Sequence, residues 1–185
     1  MPSETAADRL FHVSDRPSIT LFEPRPIASP HPSGVTRPVV WAVDERLLHN
    51  YLLPRDCPRV TFYARPDSDP ADVARLLGQT AARHVVAVEA GWLNAIRETT
   101  LWLYEFSISG FVAIDPGAGY YVSEAAVAPL SVRRVDDLLD ELARRDDVEL
   151  RLTPSLWPLR DAVLASTLQF SFIRLRNARP RDAAG

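Results

Sequence analysis

Between Leu101 and Ser123 the sequence sets three short extended runs so close together that no helix fits between them, and this spacing limits the fold more than any other feature. Leu101 to Phe106 and Phe111 to Ile114 are separated by a Ser109-Gly110 turn, and Asp115-Pro116-Gly117-Ala118-Gly119 turns the chain into Tyr120 to Ser123. Parallel neighbours need a crossover of roughly a dozen residues, so links this short predict antiparallel pairing. Elsewhere the apolar pattern alternates between strand and helix. Leu10 to Ser14, Ile19 to Phe22, Val39 to Val43, Arg59 to Tyr63, Val85 to Val88 and Val148 to Leu152 have strand length and character.

Helical signals stand between them. Asp44 caps a segment bearing Leu47, Leu48, Tyr51 and Leu52, and Asp69-Pro70 is a cap followed by proline at the first helical position. A short helix is expected over 91–98. Val135, Leu138, Leu139 and Leu142 are spaced as an amphipathic helix. Ser155 is the expected cap of a last helix carrying Leu159, Val163, Leu164 and Leu168. The expectation is an α+β fold: a single domain over 10–177, with mixed and largely antiparallel sheets packed against helices. Residues 1–9 are expected to form a flexible leader and 178–185 a flexible tail.

Composition narrows the function classes. Hydrophobic residues make up 46% and charged residues 24% of 185, enough for a core and too apolar for disorder. Neither a signal segment nor a membrane span is evident, and the one cysteine, Cys57, allows no internal disulfide, so the expected compartment is the cytoplasm. All 21 basic residues are arginine, which excludes a Schiff-base lysine or a phosphate-loop lysine. Anions must then be held by guanidinium forks or backbone amides. The four histidines, His12, His31, His49 and His84, lack the spacing of a metal motif, so no metal is expected. A net charge of −3 argues against broad nucleic-acid binding.

Several motifs have bland readings. Gly117-Ala118-Gly119 runs into a strand rather than a helix, which makes it a hairpin turn rather than a dinucleotide loop. Cys57, between Arg55 and Arg59, has cations that would lower a thiol pKa, but a small residue entering a strand is more often packing. Two segments are chemically richer. Phe11-His12-Val13-Ser14-Asp15-Arg16 puts imidazole, hydroxyl, acid and guanidinium together, and Gly119-Tyr120-Tyr121-Val122-Ser123-Glu124 ends in paired aromatics, a hydroxyl and a carboxylate.

The strings LFHVSDRPSITLFEPRP, VVWAVDERLLHNYLLPRDCPRVTFY and PSLWPL resemble a family of bacterial proteins known as a domain of unknown function. More distantly, Leu10-Phe11-His12-Val13-Ser14, Val40-Trp41-Ala42-Val43, Tyr121-Val122-Ser123 and Val127-Ala128-Pro129 resemble strands of the ADP-ribosyltransferase-like fold, which includes tRNA 2′-phosphotransferases. That resemblance implies a split sheet, with NAD as the candidate substrate and no other cofactor. It implies that His12 holds the ribose and Glu124 stands by the reacting sugar, with Tyr51 or Tyr63 as a middle tyrosine. An ADP-ribosyl or RNA 2′-phosphate transferase would follow.

Taken together, these readings give a nucleotide site with His12 and Glu124 as catalytic candidates and Ser14, Arg16, Arg25 and Tyr121 as ligand contacts. The alternative is a non-catalytic module that binds a small molecule or protein through the proline-rich 24–38 loop. A homodimer formed through the apolar 155–169 segment is the third expectation.

Overall fold

The computed structural model describes residues 9–27 and 34–181; the leader 1–8, the loop centre 28–33 with His31, and 182–185 lie outside it. In chain order its elements are β1 (Arg9–Ser14), β2 (Val40–Asp44), a 3-10 helix (Glu45–Tyr51), β3 (Arg59–Tyr63), α1 (Pro70–Leu76), β4 (His84–Glu89) and α2 (Leu93–Glu98). Then follow β5 (Leu101–Ser107), β6 (Val112–Asp115), β7 (Tyr120–Ser123), β8 (Ser131–Val135), α3 (Leu138–Ala143), β9 (Val148–Thr153), α4 (Trp157–Leu164) and β10 (Gln169–Ile173). The class is α+β, as the pattern of elements predicts. All strand pairs are antiparallel except β4 with β9, and the strands form a six-stranded and a four-stranded sheet.

The chain folds as two compact units. The first comprises 1–51 and 100–135, the second 52–99 and 136–185.

The first unit carries the sheet β6-β7-β2-β1-β5-β8. Alternation puts Leu10 of β1, Ala42 of β2, and Tyr104 and Phe106 of β5 on one face. Ile19, Phe22, Tyr121 and Val127 pack there with them. The 19–22 segment read as a strand makes only one bridge, Phe22 to Val127. Its apolar side chains roof the sheet instead of extending it: the Phe22 ring meets Tyr104 and Phe106 edge-on at 5.0 Å each. Beneath, the buried Tyr104 hydroxyl donates to Arg16 O at 2.7 Å and accepts from Ile19 N at 3.1 Å.

The second unit carries β10-β3-β4-β9. Val60, Phe62, Val85 and Ala87 from its strands pack with Leu76, Leu156 and Val163 from α1 and the region of α4. Asp69 caps α1 by accepting from Ala71 N at 2.7 Å. At the other end of α1, Arg151 donates to Leu76 O and Leu77 O at 2.7 and 3.0 Å, placing a cation where the helix dipole is negative.

The last helix departs from expectation at both ends. It starts at Trp157, with Leu156 at the N-cap; Glu89 accepts from Leu156 N at 3.3 Å and Ser155 Oγ from Trp157 N at 3.4 Å. It stops at Leu164 because Ser166 Oγ bonds back to Val163 O at 2.7 Å and Asp72 takes the Thr167 N–H and hydroxyl. Leu168 then leads into β10, a strand absent from the sequence reading.

Candidate functional site

The first unit brings β1 and β7 to either side of β2. Both are antiparallel to β2, so they run in the same direction and leave the sheet at the same end. Ala42 lies opposite Tyr121, and Phe11 opposite Val43; one further step of that register sets His12 beside Ala42. His12, Ala42 and Tyr121 therefore form a row on one face. Two strand spacings, about 10 Å, separate the β1 and β7 backbones.

The β1–β2 ladder ends at Phe11, and the His12 side chain replaces the next rung. Its Nδ1 lies 2.9 Å from Trp41 O. A carbonyl only accepts, so Nδ1 carries a proton and donates to it. The ring also packs against Phe22, centroids 4.9 Å apart.

Ser14, partly buried at the end of β1, accepts from Arg16 N at 3.1 Å through its Oγ. Arg16 follows on an exposed turn in which Ser18 has φ +62°. A serine in that left-handed region costs energy, and the Tyr104 hydroxyl bonds to Arg16 and Ile19 hold it there. Arg25 pairs backbone to backbone with Val39, just before β2. Among the described residues the guanidinium groups of Arg16 and Arg25 have no ion-pair partner. Tyr121, half-buried, lays its ring against the Leu10–Tyr104 cluster.

Glu124 stands just past β7, where the strand bends away, so its alternation with Tyr120 no longer fixes its face. Its carboxylate pairs with Arg37 at 2.9 Å, and both side chains are exposed. Sequence reasoning missed Arg37 because it stood among the loop prolines without a recognisable partner.

A second aromatic group includes Tyr51, one of the two middle-tyrosine candidates. The Tyr51 hydroxyl bonds that of Tyr120, and the Trp41 ring meets Tyr120 edge-on at 5.7 Å. Tyr63, the other candidate, belongs to the second unit, its ring 4.9 Å from that of His84.

Burial and electrostatics agree with the packing reading of Cys57 and overturn only the expected pull of the neighbouring arginines. The thiol is fully buried, and burial, reinforced by Glu89, outweighs Arg59 and pushes its pKa up to about 11. It is an inert packing group near neutral pH. Burial also raises the Asp44 pKa from its ordinary value, against the pull of Arg46 and the Leu47 N–H that it caps. Among the described residues no group of three or more histidine, cysteine or acidic side chains is placed to hold a metal, and no helix is long and apolar enough to cross a membrane.

Residues 11–178 match a family of unknown function, DUF6886. The chain belongs to this family. The match covers β1 from Phe11 onward, all of β7 and every candidate residue discussed above. No curated protein matches the chain, and no solved structure matches it.

Proposed function

We propose that the first unit binds a nucleotide of the NAD type at the sheet end where β1 and β7 stop. One observation carries this reading: segments more than a hundred residues apart, Ser14–Arg16 and Ser123–Glu124, leave one sheet in the same direction on either side of β2. In this reading His12 holds a ribose hydroxyl. Tyr121 offers an aromatic edge to the base, and Arg16 and Arg25 take the phosphates, a role open to exposed guanidinium groups without carboxylate partners.

The chemistry that suits this set is displacement at the ribosyl carbon, as in the ADP-ribosyltransferases that the sequence resembles. Breaking the glycosidic bond builds positive charge on the ribose, and the Glu124 carboxylate supplies the opposing charge. Glu124 must first leave Arg37, which costs little because an exposed ion pair contributes only about 0–1 kcal/mol.

That ion pair also favours a second reading, a non-catalytic binder on the same scaffold. Arg37 lies in the 24–38 loop and neutralises the acid that catalysis would need. Calorimetry with NAD, a nicotinamide-release assay and a 2′-phosphorylated RNA substrate separate the readings. Binding with turnover that falls about 10²-fold or more in Glu124→Gln supports the enzyme. Binding without turnover supports the module. Absence of binding and of turnover with all three contradicts the enzyme and any binder of NAD or phosphorylated RNA.

A further inference from the structure

The second unit carries a concentrated positive surface that the nucleotide reading does not use. Residues 174–181, Arg-Leu-Arg-Asn-Ala-Arg-Pro-Arg, hold four arginines and no acid in a chain whose net charge is −3. This segment is tied to the fold along its backbone. The buried Glu89 carboxylate accepts from Arg179 N at 3.0 and 3.2 Å, and Trp157 Nε1 donates to Arg179 O at 2.7 Å. Asn177 Nδ2 donates to Asp56 O at 2.7 Å.

The side chains point to a ligand class. Arg176, Arg179 and Arg181 are exposed, and neither Arg174 nor Arg176 has an ion-pair partner among the described residues. Arg181 lies over the half-buried Trp157 ring, 5.7 Å from its centroid, and Arg160 lies over Phe172 at 5.4 Å. Asp161, paired with both Arg160 and Arg181, offsets only part of this charge.

We propose that this surface binds single-stranded polynucleotide. Exposed guanidinium groups take successive phosphates, and a base stacks on Trp157 where Arg181 now lies. Aromatic stacking combined with a cationic track is the general chemistry of sequence-tolerant single-strand binding. The ordered backbone removes the main-chain part of the cost of arranging the cations.

Fluorescence anisotropy of the full chain with labelled ten-nucleotide oligouridine and oligothymidine tests it. Binding should appear at about 50 mM salt and weaken roughly tenfold or more by about 200 mM, the dependence expected of three or more phosphate contacts. Binding of either strand supports the surface, and the tighter one identifies its natural partner as RNA or DNA. Arg176→Ala with Arg181→Ala should weaken binding about tenfold or more without changing the thermal midpoint appreciably. Trp157→Phe retains a ring and serves as the milder variant. No anisotropy change at low salt, or undiminished binding by the double arginine variant, overturns the proposal.

Discussion

Gly119 presses its backbone against the side chain of Asp44. A Cβ on Gly119 would stand 2.6 Å from Asp44 Oδ1, and the glycine has φ +66°. The same Asp44 accepts from Leu47 N and starts the 3-10 helix, while Gly119 O accepts from Asp44 N at 3.0 Å. Gly119→Ala should therefore cost about 2–4 kcal/mol, combining left-handed strain with overpacking against a buried carboxylate. Urea unfolding would show it as a lower midpoint; an unchanged midpoint would refute the contact.

Tyr104→Phe leaves the ring in the core but strips the hydroxyl that joins Arg16 O to Ile19 N. The expected loss is about 1–3 kcal/mol, the cost of leaving partly buried backbone groups unmet. Because those bonds hold Ser18 in its strained conformation, amide hydrogen exchange at 16–19 should quicken more than in the β5 strand. Uniform quickening would mean that the hydroxyl matters only to global stability.

Cys57 gives the pH dependence its sign. The folded thiol pKa, about 11, exceeds the ordinary 9.0, so above pH 9 the unfolded state releases its proton first. Stability contributed by this group is complete below pH 9 and is lost as pH rises towards 11, amounting to on the order of 2 kcal/mol. Guanidinium unfolding of wild type and Cys57→Ala between pH 8 and 11 checks it: the wild type should lose stability relative to the variant across that window. A thiol reagent at neutral pH should label Cys57 only on unfolding.

Much of this fold was legible because its signals are local. The 115–119 turn joins β6 to β7 as an antiparallel pair, and Asp44 and Asp69 cap where their positions suggested. The 109–110 turn does not pair the strands it links: β7, β2 and β1 stand between β6 and β5 in the sheet order. What escaped was set by distant partners. The end of α4 depends on Asp72 binding Thr167 from 95 residues away, so the apolar spacing through Leu168 looked like more helix. Ile19 to Phe22 alternates like a strand, but its role is to cover Tyr104 and Phe106, a contact that only the tertiary fold reveals. The site divides in the same way. His12 and Glu124 drew notice by residue type, whereas the Arg37 ion pair and the Trp41–Tyr120–Tyr51 cluster depend on spatial neighbours.

Within the proposed site the arginines and the acid should have separable effects. Arg16→Ala should weaken NAD binding about tenfold, since a charge-assisted contact contributes roughly 1.5–3 kcal/mol. Arg37→Ala frees Glu124 and should leave turnover equal or higher. Equal binding by wild type and Arg16→Ala would remove the phosphate role.

Backbone amide NMR of the full chain, titrated with NAD, addresses the location of the site. Shift changes should concentrate at 12–18, around Arg37 and at 121–124, where β1 and β7 leave the sheet together. Saturating NAD that leaves these amides unmoved, or moves only residues 52–99 and 136–181, would contradict a nucleotide site built on His12 and Glu124.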